Sequence, residues 1–189
     1  MGGEAGLVRV ESELLCLKRE TLKLDEKIAQ LYEQWRDSIY RYVILVAGNF
    51  AEAEEITQEA FLQLYRCLLN GKEIRDARSW VFRVAHNCAL NRTASRKYVV
   101  PLDPVVWEKL CEAREDPALD PEQFVLEEEK RQRLQAAFQQ LSALQQQCLL
   151  LRAEGFRYEQ IAEVLDISIS NVGRSLHRGI KKLMRDRHE

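Results

Sequence analysis

Residues 156–183 read FRYEQIAEVLDISISNVGRSLHRGIKKL, and this stretch decides the fold. Gly155, just before it, can end one helix in the left-handed conformation. Tyr158, Ile161, Ala162 and Leu165 then place apolar groups on one face of a short helix. Ala162 is small enough to let a second helix approach closely. Asp166 follows, a residue that tolerates left-handed backbone better than most. Ser168 supplies an N-cap for the next helix, whose inward stripe is Val172, Leu176, Ile180 and Leu183. The outer face offers Ser170, Asn171, Arg174, Ser175, His177, Arg178 and Lys181. From Ile167 to Arg185 there are five basic residues and no acidic one. The pattern predicts a helix-turn-helix. Its second helix fits a DNA major groove, with side chains near its N-terminus at base edges and later basic groups at phosphates. A helical hairpin that binds nothing would show the same apolar stripes, and the charge bias is what separates the two readings.

The rest of the chain reads as helix too. Eight Gly and four Pro in 189 residues are too few for a turn-rich β fold, so an all-α fold is expected. The four prolines, Pro101, Pro104, Pro117 and Pro121, all lie in one stretch, where they interrupt helices. They divide the chain into an N-terminal domain over 1–98, a linker over 99–126 and a C-terminal domain over 127–189. Net charge divides in much the same way: +1 over residues 1–98, −8 over 99–129 and +5 over 130–189. Within the first block, residues 62–98 alone carry +6. Two basic segments flanking an acidic linker point to a polyanion touched at two places, although solvated helix faces would look alike in charge.

Helices are expected over Glu26–Ala47, Ala51–Leu69, Arg78–Ser95, Glu127–Gln140, Ala143–Glu154, Tyr158–Leu165 and Ser170–Arg185, with a helical turn or two around Val105–Ala113. Leu7, Val10, Leu14, Leu17, Leu24, Ile28, Leu31 and Trp35 follow steps of three and four, interrupted by Thr21. This stripe serves either a helix packed on its own domain or a dimer seam.

Five dispersed cysteines at 16, 67, 88, 111 and 148, with no CxxC, argue against a disulfide framework or a zinc site and for a cytoplasmic protein. His86 and Cys88 have no further ligand near them in sequence, and Cys67 and Cys148 read as small core groups. No stretch is long enough to insert in a membrane, and the acidic N-terminus lacks a signal-peptide pattern. No nucleophile–base cluster, Walker A sequence or metalloprotease motif appears, so neither an enzyme nor a cofactor is expected.

Glu159-Gln160-Ile161-Ala162-Glu163-Val164-Leu165-Asp166-Ile167-Ser168, followed by Val172 and Leu176-His177-Arg178, resembles the C-terminal helix-turn-helix of bacterial sigma factors of the extracytoplasmic-function type. Ala53-Glu54-Glu55-Ile56-Thr57-Gln58-Glu59-Ala60-Phe61 resembles that family's polymerase-docking helix. Arg78-Ser79-Trp80-Val81-Phe82-Arg83-Val84-Ala85-His86-Asn87 resembles its minus-ten helix. The three motifs stand in the family's order.

The resemblance implies a promoter-specificity factor. It would bind core RNA polymerase through Glu54, Glu55, Gln58 and Glu59, a row that is otherwise a solvated acidic face, with Phe61, Leu62, Leu64 and Tyr65 mostly core. It would hold the minus-ten element through Asn70, Lys72 and Arg75 in a loop, and through Arg78, Arg83, His86, Asn87, Asn91 and Arg92. Trp80 and Phe82 read as structural, with base stacking as the alternative. The minus-thirty-five element would fall to Ser170, Asn171, Arg174, Ser175, His177, Arg178 and Lys181. Core polymerase and promoter DNA are the implied partners, and an anti-sigma factor is one the family admits. The rival reading is a self-sufficient helix-turn-helix regulator with a ligand-sensing or dimerising N-terminal half. Three departures stand out: Asp166 where the turn usually has Gly, Arg157 where a hydroxyl residue commonly caps, and Gly173-Arg174-Ser175 where Lys-Ser-Arg is usual.

Overall fold

The computed structural model describes residues 3–94 and 121–185, with side chains over 21–94 and 129–185. Seven α-helices make up this part: α1 Gly3–Ala47, α2 Phe50–Leu69, α3 Ala77–Thr93, α4 Pro121–Gln139, α5 Ala143–Ala153, α6 Tyr158–Leu165 and α7 Ile169–Arg185. The expected turn at 105–113 and most of the linker lie outside the described residues. Helix α4 begins at Pro121, inside the span assigned to the linker, at a position where the missing proline N–H removes no intrahelical hydrogen bond.

The N-terminal stripe and the helix expected from Glu26 are one continuous helix, α1. Its members within the described side chains, Leu24, Ile28, Leu31 and Trp35, are half-buried, and the helix sinks fully into the core only at Ile39, Tyr42, Val43 and Ile44. Gly48 takes φ 65° to stop it, and Asn49 caps α2 by accepting the Glu52 N–H at 3.0 Å. Asp76 caps α3 twice, accepting the Ser79 N–H at 3.0 Å and the Ser79 hydroxyl at 2.7 Å. Ser142 and Gln145 form a reciprocal capping box at the start of α5.

The helix-turn-helix forms as its sequence dictates. Gly155 sits at φ 88°, and Asp166 takes the left-handed conformation at φ 53°. The Ser168 hydroxyl accepts the Asn171 N–H at 3.2 Å. Arg157 makes no side-chain cap; instead the Gln160 Oε1 accepts the Arg157 N–H at 2.8 Å. The inward line of α7 differs from expectation. It runs through Val172, Ser175, Leu176 and Gly179, while Ile180 is 44% exposed. Gly179 is the reason. A Cβ there would stand 3.0 Å from Leu149 Cδ1, so any larger residue would make the Leu149 side chain give way for α7 to cross α5 this closely.

The two halves share one core. Tyr42, Ile56, Leu64, Val81 and Phe82 of the first bundle belong to the same buried cluster as Cys148, Leu151, Phe156, Ile161, Val172 and Leu176 of the second. Helix α3 packs on α6, and α1 on α5.

Candidate nucleic-acid interface

Helix α7 presents the open surface. Ser170, Arg174, His177, Arg178 and Lys181 are exposed, and Asn171 is half-buried. Ser175 is a correction: it is only 7% exposed, and it sits against the buried Cys148, to whose thiol it is hydrogen-bonded. Burial pushes that thiol up to about 11, the Ser175 contact opposing it, so Cys148 stays protonated. The three-residue departure therefore turns a small hydroxyl inward at 175 and an arginine outward at 174. At Gly173, a Cβ would stand 3.8 Å from the ring of Tyr158, which is 41% exposed rather than inward. The Arg152 guanidinium lies 5.9 Å from the same ring.

Helix α3 is different. Asn87 and Asn91 are exposed, as are Asn70, Lys72 and Arg75 in the preceding loop, where Gly71 takes φ 71°. His86 is again a correction. It is 5% exposed, and its Nδ1 lies 2.8 Å from the Tyr42 hydroxyl. Burial lowers its imidazole to about 4, so it is neutral at pH 7 and has no charge to offer a phosphate. Phe82 is fully buried and Trp80 is half-buried against the same core, as the structural reading expected. Arg83 reaches Glu163 of α6 at 3.9 Å, and Arg92 pairs with Glu55 at 2.6 Å.

Arg78 is the most constrained cation. It donates to the Glu154 carbonyl at 3.0 Å and approaches the Glu154 carboxylate at 3.5 Å. Its guanidinium carbon lies 4.7 Å from the Phe156 ring centroid and 5.8 Å from that of Phe82. Its Nε is buried with no hydrogen-bond partner among the described residues.

The acidic row on α2 is partly engaged. Arg36 binds Glu54 at 3.1 Å, and Gln58 donates to the same carboxylate at 3.3 Å. Gln63 donates to Glu59 at 3.0 Å. Beside Gln58 lies an apolar groove lined by Ile28, Tyr32, Phe61, Leu62 and Tyr65. Leu62 was expected in the core but is 48% exposed. Its place four residues after Gln58, on the same helix face, was the signal that could have found this groove.

A helix-turn-helix with an open basic face, carried on a helical bundle with a second basic helix, defines a DNA-binding regulatory protein. Comparison with known proteins narrows the class. Residues 31–98 match the family described as Sigma-70 region 2, and residues 131–183 match Sigma-70, region 4. The ECF RNA polymerase sigma factor SigK of Mycolicibacterium vanbaalenii is 26% identical over 97% of this chain and 93% of its own length. The ECF RNA polymerase sigma factor SigE of Mycolicibacterium smegmatis is 28% identical over 82% of this chain, which spans only 59% of that longer protein. The fold is that of the sigma factor RpoE of Bartonella quintana, solved in complex with the anti-sigma factor NepR, with TM-score 0.58 and 18% identity over 85% of this chain and 96% of that one. The chain belongs to the sigma-70 family, as a sigma factor of the extracytoplasmic-function type that directs transcription initiation.

Proposed function

We propose that the chain docks on core RNA polymerase through α2, sets α3 and the 70–76 loop on the minus-ten element, and seats α7 in the major groove of the minus-thirty-five element. The observation that carries this is the solvent-facing row Ser170, Arg174, His177, Arg178 and Lys181 on one short helix, with no acidic residue among them. Docking rests on the groove beside Gln58. An apolar floor of Tyr32, Phe61 and Leu62 with Asp25, Glu33 and Gln58 around it has the anatomy of a protein interface, apolar at its centre and polar at its rim, and Glu55 and Glu59 extend the polar surface along the same helix. Minus-ten contacts fall to Asn70, Lys72, Arg75, Asn87 and Asn91, joined by Arg78, Arg83 and Arg92 once their present carboxylate partners release them. The domain limits follow the same division, with the minus-ten unit ending near residue 98 and the helix-turn-helix unit occupying the C-terminal third.

In this reading the chain contributes specificity and no chemistry of its own, and it works in the cytoplasm, where the polymerase is. An anti-sigma protein is a further partner by likeness to the complex that shares its fold.

Run-off transcription with core polymerase tests the proposal. The wild-type chain should confer promoter-dependent transcripts. Reversing Glu55 and Glu59 together should weaken polymerase binding about tenfold or more while leaving the chain folded, because changes at exposed charges usually cost under about 0.5 kcal/mol. Unchanged polymerase affinity in a folded double variant would remove this face from the mechanism.

A further inference from the structure

We infer that the first part of α1 is a docking arm that prolongs the groove beside Gln58, and that one basic, amphipathic helix of core RNA polymerase occupies arm and groove together. The inference rests on the docking reading of that groove. Helices α1 and α2 run antiparallel, in a register fixed by three contacts. Arg36 pairs with Glu54, the Tyr32 and Phe61 rings meet with centroids 4.9 Å apart, and the Tyr65 hydroxyl is hydrogen-bonded to Asp25. On this register Leu69, the last residue of α2, comes level with Thr21 and Leu22 of α1. Helix α1 begins at Gly3, so its residues 3–20 run on past the end of α2 for about 27 Å, at ~1.5 Å per residue.

Three exposed leucines lie where groove and arm join. Leu22 is 60% exposed, Leu62 48% and Leu69 50%. Leu62 lines the groove, and Leu69 is seven residues on along the same face of α2. On α1, Ala29 lines the groove, and steps of seven from it reach Leu22, Leu15 and Val8. A strict step of seven drifts ~20° per heptad on a straight helix, so such a row stays in register with a helix that winds around it. The occupant is therefore helical. Ile28, Leu31 and Trp35 are half-buried against the core, whereas the earlier members of their stripe in the sequence, Leu7, Val10, Leu14 and Leu17, belong to the part of α1 beyond the end of α2. A partner helix supplies there the cover that α2 supplies lower down. Charge selects the partner. Asp25 and Glu33 line the groove and, among the described residues, no basic one does, which fits a helix with a basic rim. The arm of a second copy does not fit, because residues 3–20 carry four acidic and three basic groups.

The test uses the full chain and core polymerase. Leu15→Lys and Leu22→Lys together remove apolar surface and set cations against the basic helix. The double variant should bind polymerase about tenfold more weakly, with helix content unchanged by circular dichroism, since Leu22 is exposed. If the double variant loses helix, Leu22→Lys alone should still weaken binding about threefold. A photo-crosslinking phenylalanine analogue in place of Leu15, or of Leu62, locates the occupant. Both positions should crosslink to one helical segment of polymerase. Polymerase crosslinks from position 62 alone, with unchanged affinity in the lysine variants, would overturn the arm and uphold the docking reading. Crosslinks from position 15 to a second copy of the chain would overturn the inference in favour of a dimer seam. Crosslinks to polymerase from neither position, together with unchanged affinity on reversing Glu55 and Glu59, would overturn the docking reading itself and the arm with it.

Discussion

Helices α3 and α7 are the same length, 17 residues each, and both were expected to face DNA, yet the fold treats them differently. Helix α7 has one buried line and leaves its remaining surface to solvent. Helix α3 buries Ser79, Val81, Phe82, Ala85, His86 and Ala89, because α1 and α2 cover one side and α6 covers another. Helix α7 also packs on three helices, α4, α5 and α6, but they meet it along one line, and that is what leaves its cations open. On α3 the cations that remain near the surface are occupied, Arg78 by Glu154, Arg83 by Glu163 and Arg92 by Glu55.

Truncating one apolar side chain on each helix should show the contrast most strongly. Phe82 is fully buried between the two halves, so Phe82→Ala should cost roughly 3–5 kcal/mol of stability. Ile180→Ala, at a 44% exposed position, should cost less than about 1 kcal/mol. Urea unfolding of the two variants at pH 7 checks this, and equal losses would break the distinction.

Histidine chemistry separates the helices next. His86 of α3 is held near 4 by burial, below its ordinary 6.5, so the unfolded chain binds its proton more readily. Its contribution to stability is present above pH 6.5 and is lost as the pH falls toward 4, about 2 kcal/mol of it by pH 5. His86→Gln, which can still meet the Tyr42 hydroxyl but does not titrate, should lose that much less between pH 7 and pH 5 in the same unfolding assay. A wild type and variant with parallel pH profiles would show that His86 charges freely.

The smallest effects concern α7 alone. Arg174, near the helix start, should read a base, and Arg174→Ala should lose roughly 1–3 kcal/mol of discrimination at one or two positions of the minus-thirty-five element. Arg178, one turn on, should meet phosphate. Arg178→Ala should weaken all sequences alike and lower the salt slope by about one unit. Binding of the polymerase-bound chain to a randomised minus-thirty-five duplex at several salt concentrations separates the two. Sequence preference left intact by Arg174→Ala would mean that α7 is seated differently from the pose its exposed face supports.

Much of this protein was legible in its residues. Gly155, Asp166 and Ser168 mark a turn because left-handed backbone and an N-cap are local demands that single residues meet. The starts of α2, α3 and α5 are equally local, set by Asn49, Asp76 and Ser142, although the reading of the sequence named none of these caps. The apolar periods of α6 and α7 placed the helix-turn-helix, and three short motifs placed the family. What local sequence could not decide was which polar residues stay in water. His86 and Ser175 lie in polar stretches of their helices, and only the approach of Tyr42 and Cys148 from other helices buries them. Gly179 rotates the inward line of α7 by letting α5 come close, an effect with no signal in the spacing of Val172, Leu176 and Ile180. The meeting of Arg41 and Arg78 on Glu154, 113 and 76 residues away along the chain, belongs wholly to the tertiary structure. Helix propensity and capping act within a few residues, whereas burial and ion pairing depend on what another segment brings.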